Sequence, residues 1–198
     1  MLNHRLIDSI IDNADRVSQG ELANMLMAEM VEVKDHPILI TLQDAVAGNG
    51  FLARITLFGR TIMRQEDGKW WMYGVQPAAI AASGDSIAEA FLNFKTSYQS
   101  ILFDFAQDST DFSAFKKEVE RFFNEADTDN EDERTWHESL KTLRTQNCHV
   151  PDDFSDLPRQ SAEAVPCNIT VDRVDAKSQI QFTPKDNVAD GYSFAKAA

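Results

Sequence analysis

Thr61-Ile62-Met63-Arg64-Gln65-Glu66-Asp67-Gly68-Lys69-Trp70-Trp71-Met72-Tyr73-Gly74-Val75 is the stretch that decides the fold. Two β-prone runs flank an Asp-Gly step, and glycine tolerates the positive φ that a tight hairpin turn requires, so the stretch predicts a β-hairpin. Eight residues on, Ser83-Gly84-Asp85-Ser86-Ile87-Ala88-Glu89-Ala90 opens a helix. Ser86 can accept from the first orphan amides while Glu89 reaches back, a reciprocal capping box. Ile87, Phe91, Phe94, Tyr98, Ile101 and Phe105 then recur at three- and four-residue steps, which predicts an amphipathic helix over 86–107 anchored on the hairpin.

Working outward, Ile38–Leu42 reads as a short strand after His36-Pro37, Gly48-Asn49-Gly50 as a turn, and Phe51–Phe58 as a strand bent or bulged at Gly59. Upstream, Leu2, Leu6, Ile10, Ala14 and Val17 form one helical stripe, and Leu22, Met25, Leu26 and Met30 form a second. Downstream, Phe112, Phe115, Val119, Phe122 and Phe123 predict a helix over about 112–126, and Trp136, Leu140 and Leu143 a weaker one. After Pro151 short polar pieces alternate with prolines; Asn168–Val174 and Gln179–Thr183 are candidate strands. The expected fold is α+β: a small antiparallel sheet of three or four strands covered by an amphipathic helix, with an N-terminal helical hairpin and additional C-terminal helices. The organisation divides as a hairpin over 1–35, an α+β core over 36–126, an acidic linker and helix over 127–150, and a partly ordered extension over 151–198.

The chain has 198 residues and a net charge of −13, and residues 104–138 alone carry −8. Such a balance repels phosphates, so direct nucleic-acid binding is not expected, whereas a basic protein would be attracted and steered. Two cysteines, Cys148 and Cys167, form no disulfide framework, and neither a secretory leader nor a run of membrane-spanning length is recognisable, which points to a cytoplasmic protein with reduced thiols.

The order of strand, Asp-Gly turn, aromatic strand and Ser-Gly-Asp-Ser-Ile-Ala-Glu-Ala helix start resembles the HicB-like antitoxin domain over about residues 51–105. Gly84, Asp85, Ser86, Glu89 and Ala90 match the family's helix start; Glu66-Asp67-Gly68 and the aromatics after it match its first turn and second strand. The resemblance implies a partial ribonuclease-H-like sheet with a helix on one face, in a bacterial toxin–antitoxin system whose antitoxin covers a small basic RNA-cleaving toxin. Many members add a C-terminal DNA-binding unit. No basic amphipathic helix pair follows Pro151 here, so operator binding is not expected of this chain.

Several constellations bear on chemistry. Asp127, Asp129, Glu131 and Glu138 occupy the first, third, fifth and twelfth places of an EF-hand-like window, but Asp132 stands where the sharp turn needs glycine, so an acidic solvated linker is favoured over a calcium loop. Cys148-His149 are sequence neighbours and lack the spacing of a catalytic or zinc pair. Ser18–Ala23 looks like the start of a helix-turn-helix, yet Glu21 and Glu29 would oppose phosphate. No phosphate loop or recognisable catalytic triad is present, so the sequence points to a non-enzymatic protein with no cofactor and no metal. On a strand, Trp71 and Tyr73 share one face and Trp70 and Met72 the other. One set should lie under helix 86–107, and the other be covered by the first helix or by helix 112–126, or be left open to a partner. The candidate partner-binding residues are therefore Asp127, Asp129, Glu131, Asp132, Glu133, Trp70, Trp71 and Tyr73.

These features lead to the expectation of a protein-binding regulator resembling a HicB-like antitoxin that masks a basic partner. The alternative is an acidic nucleic-acid mimic or structural subunit of a larger complex, as in phage defence or counter-defence. A homodimer is compatible with either.

Overall fold

A computed structural model describes residues 31–32, 34–125, 131–145, 148–149, 151–154, 157–161, 167–174 and 190–196. The predicted N-terminal helices, the candidate strand Gln179–Thr183, Asp127 and Asp129 lie outside the described residues. The frame is a pair of long strands, β2 (Asp35–Gly48) and β3 (Phe51–Glu66), joined by a two-residue turn and paired from Gly48–Phe51 to Asp35–Arg64. The hairpin β3–β4 (β4, Lys69–Gln76) turns at Asp67 and Gly68 with φ of 51° and 77°, the left-handed pair that matches strand twist. β5 (Ala81–Gly84) adds to the free side of β4.

The expected sheet of three or four strands is too small: the sheet has seven, in the order β5-β4-β3-β2, then β9 (Gly191–Lys196) and β7 (Arg159–Ser161), with β8 (Asn168–Arg173) paired to β3. The reason is twofold. β2 continues well past Leu42 because alternation resumes at Val46; Asp44, bonded to Gln99 at 2.6 Å, interrupts the apolar pattern without ending the strand. The chain after Pro151 also supplies three short strands, β7 (Arg159–Ser161), β8 (Asn168–Arg173) and β9 (Gly191–Lys196), each contributing few apolar residues to the core. β8 pairs with residues 53–58 of β3 and β4 with 60–66, and the β3–β4 register shifts between Arg60 and Thr61. A separate two-stranded pair joins β1 (Val31–Glu32) to β6 (Cys148–His149).

Side chains alternate between the two faces of the sheet. One face carries Ile38, Ile40, Leu42, Val46, Ala53, Ile55, Leu57, Met63, Trp70 and Met72, buried in the main core. The helix α1 (Ile87–Asp108) lays Phe91, Phe94, Tyr98 and Leu102 on this face, and α2 (Phe112–Asn124) adds Phe115, Val119, Phe122 and Phe123. Ser86 Oγ accepts from Glu89 N at 3.2 Å, and Glu89 Oε2 accepts from Asp85 N at 2.8 Å, one residue before the position a standard capping box uses. Gly84 is fixed by this join, because a Cβ there would lie 2.5 Å from the Ala90 nitrogen. A single helical turn at Asp152–Phe154 closes the end of the core, with the Phe154 ring 4.3 Å from His36 and 5.2 Å from Trp70. At β9, Asp190 pairs with Lys95 of α1 and accepts from Gln43 N at 2.6 Å, tying the last strand to helix and sheet.

The opposite face is covered neither by α2 nor by any described N-terminal helix. Its cover is α3 (Glu131–Thr145), whose Trp136 and Leu140 pack on Leu39, Ile62, Val75 and Ala195. α2 cannot reach that face because its aromatic stripe is spent on Phe51 and α1, with ring centroids 5.2 Å apart for Phe51–Phe115 and 5.7 Å for Phe105–Phe122.

Candidate functional site

The residues singled out in the sequence separate by strand alternation. Trp70 is 5% exposed and belongs to the core beneath α1. Trp71 and Tyr73 emerge, half-buried, on the face that α3 covers only in part. Their rings stack 5.8 Å apart at 15° between planes. Such a pair offers a broad apolar surface with little side-chain freedom left to lose on binding.

Charged groups frame this pair. Arg64 on β3 lies opposite Trp71 in register, with its guanidinium 5.5 Å from the Tyr73 ring. It donates from Nε to Asp35 at 2.5 Å and from Nη1 to Glu66 at 3.3 Å. Glu66 Oε2 also accepts from the Tyr73 hydroxyl at 3.1 Å. Burial, the Glu66 hydrogen bond and the Glu66 charge raise the Tyr73 phenol above its ordinary value, Arg64 works against them, and Asp132 adds a smaller upward push. Asp132 opens α3, so the fold brings an acid from the acidic run to the Trp71–Tyr73 pair. The group holds two carboxylates, Asp35 and Glu66, on one guanidinium, with Asp132 near enough to act on Tyr73, an acidic rim on an aromatic floor.

The other acids of that run play different parts. Glu133 accepts from Arg60 with both carboxylate oxygens, and His137 Nε2 is 2.9 Å from its Oε1. Arg60 also donates to Gln76 Oε1 at 3.1 Å and sits 5.0 Å over the Trp136 ring. Beside this join lies Cys167, whose thiol is pushed up by burial against the opposing pull of Arg60. Glu131 is exposed and has Arg134 3.9 Å away on the same helix. Because residues 131–138 are helical, the EF-hand-like window cannot wrap as one loop. Cys148 and His149 lie on the strand that pairs with β1.

Asp35 and Arg64 were missed by sequence reasoning. The signal that could have found them is the long register of β2 on β3, which sets Asp35 across from Arg64. No described helix is long and apolar enough to cross a membrane. The chain matches no protein-family model, no curated protein and no solved structure.

Proposed function

We propose that this chain is a non-enzymatic protein-binding regulator that masks a basic partner, in the manner of the HicB-like antitoxin domain it resembles, with an RNA-cleaving toxin as the partner class. The observation that carries the proposal is the stacked Trp71–Tyr73 pair rimmed by Asp35, Glu66 and Asp132. An aromatic floor supplies affinity, and an acidic rim supplies steering and selects against acidic or nucleic-acid partners. A Lys/Arg-bearing segment with one apolar anchor is the chemistry that fits. The long hairpin under a capped helix is the arrangement the resemblance implies for residues 51–105.

The test is retention of proteins by the tagged chain at low and high salt, followed by binding measurements on what is retained. A small basic protein should be held, more weakly as salt rises, and Trp71→Ala with Tyr73→Ala should weaken it at least tenfold. Asp132→Asn should mainly slow association. Retention of nothing basic, or affinity untouched by the aromatic changes, sinks the proposal. Retention of a nucleic-acid-processing enzyme through its DNA-binding groove would favour the mimic instead.

A further inference from the structure

The edge of β2 on the β9 side is filled along only part of its length. The ladder runs from Ile38 opposite Phe194 to Thr41 opposite Gly191 and stops there. The next outward amide, Gln43 N, is bonded to the Asp190 carboxylate at 2.6 Å in place of a backbone carbonyl. At the far end Gly48 and Phe51 close a two-residue turn. Gly48, Val46 and Asp44 therefore turn their backbone groups to β3, while Gln43, Ala45 and Ala47 turn theirs outward. Among the described residues nothing bonds the amides of Ala45 and Ala47 or the carbonyls of Gln43, Ala45 and Ala47. Residues 43–48 also lack the devices that blunt an edge: they hold no proline, no lysine and no bulge, and Ala45 and Ala47 are small and exposed. The β5 edge, by contrast, has Ser83 O capped by Asn93 Nδ2 at 2.8 Å, and β7 is only three residues long.

Helix α1 walls this open stretch on the core side. Lys95 pairs with Asp190, Gln99 donates to Asp44 at 2.6 Å, and Asn49 donates to the Gln107 and Ser109 carbonyls. These ties lay the helix alongside the edge, so Phe103, midway between Gln99 and Gln107, stands level with Val46. Phe103 follows Lys95 and Gln99 on the same flank and is 50% exposed.

We propose that the slot between β2 and α1 takes an extended segment of a partner protein, added antiparallel to residues 43–47 in the line of β9, with an apolar side chain opposite Val46 and a lysine or arginine opposite Asp44. Backbone bonds to the open groups hold the strand, and the two side chains set its register. The apolar one lies on the core side, beneath Phe103. The basic one faces a half-buried carboxylate whose Oδ1 serves Gln99 and whose Oδ2 has no hydrogen-bond partner. Direct cross-strand pairing brings opposite charges within reach of each other. A second copy offering its own residues 43–48 brings no base to Asp44, so the occupant is a different, basic protein, which the net charge of −13 also steers. The slot lies away from the Trp71–Tyr73 pair and does not depend on the role proposed for it.

The test titrates the full chain with the synthetic peptide acetyl-Thr-Ile-Thr-Lys-Thr-amide to millimolar concentration, read by amide NMR. Shifts and slowed hydrogen exchange are expected at Ala45 and Ala47. N-methylation of the central Thr, whose amide points at β2, should abolish binding, while N-methylation of the Lys, whose amide points away, should not. Ala45→Pro removes an outward amide and leaves the β3 ladder intact, so it should keep the fold and weaken binding about tenfold or more. Phe103→Ala, at an exposed position, should weaken it likewise and serves should the proline variant unfold. Replacing the peptide's Lys by Glu should also weaken binding. Absence of shifts at millimolar peptide overturns the proposal, as does binding indifferent to methylation of the central Thr or to the Lys-to-Glu change. Slow exchange at Ala45 and Ala47 in the free chain overturns it equally, because the edge is then already filled.

Discussion

Arg60 on β3 donates from Nη1 and Nη2 to the two carboxylate oxygens of Glu133 on α3, at 2.8 and 2.9 Å. This bidentate pair, with the Arg60 guanidinium over Trp136, fixes α3 to the second face of the sheet. The apolar contact there is small, a cluster around Trp136 and Leu140, so the polar clamp carries a larger share of the docking than it would on the α1 side. The Arg60 side chain is 19% exposed and that of Glu133 36% exposed, between a free surface pair and a buried one.

Arg60→Ala should therefore cost about 1–3 kcal/mol, more than Glu133→Ala, because Arg60 also loses Gln76 and the Trp136 ring. A double-mutant cycle measured by denaturant unfolding should return a coupling near 1 kcal/mol. Independent, additive effects would show that the helix docks by Trp136 and Leu140 alone.

Adjacent tryptophans should behave differently. Trp70→Ala empties a core site between His36 and Phe154 and should cost about 3–5 kcal/mol. Trp71→Ala removes a half-buried ring from the face that α3 covers only in part and should cost about 1 kcal/mol or less. Chemical unfolding of the two variants decides it; equal losses would mean that the Trp71–Tyr73 surface is a structural one and not free for a partner.

The legible parts of this fold are those where local chemistry and tertiary outcome agree. Asp67-Gly68 takes positive φ at both positions, and Ser86 caps α1 by accepting from Glu89 N at 3.2 Å. What escaped the sequence was specified by distant partners. β9 is a strand because Ile38–Thr41 offer it an open edge, and nothing in Gly191–Lys196 itself demands pairing. α3 looked weak because its sequence is polar on most sides, and its place is set by Arg60 and by the gap over Ile62 and Val75. For the candidate site, the separation of Trp70 from Trp71 followed from strand alternation alone. The company of Asp35, Arg64 and Asp132 required a register and a helix placement that no local pattern encodes.

The strand-to-helix join gives a further prediction. Gly84→Ala drives a Cβ into the backbone of the first turn, where no side chain can swing away, and should cost several kcal/mol or abolish folding. Ser86→Ala removes one acceptor at an exposed cap and should cost about 1 kcal/mol. Thermal melts of the two variants should differ by well over 5 °C in a protein of this size; similar melts would mean that the first turn of α1 can lift from β5 at little cost.

Acid should loosen the core through His36. Burial lowers its pKa from 6.5 to about 4, with Asp35 pulling weakly the other way. Below 6.5 the unfolded chain takes up a proton that the folded chain refuses, so stability falls as pH drops from 6.5 towards 4 and loses no more on this residue's account below that. The full effect is about 3 kcal/mol. Asp44 has the opposite sign: burial raises its pKa above the ordinary carboxylate value, so the folded chain holds that proton more tightly and gains stability on acidification. The two are separated by His36→Phe, which keeps a ring against Trp70 and Phe154 and removes the titration. Between pH 7 and 4.5 the parent chain should lose more unfolding free energy than this variant, and the difference should vanish above pH 7. Parallel pH profiles would show that Asp35 offsets burial and leaves His36 titrating alike in the folded and unfolded chain, and a parent that loses less than the variant would show that Asp35 outweighs burial.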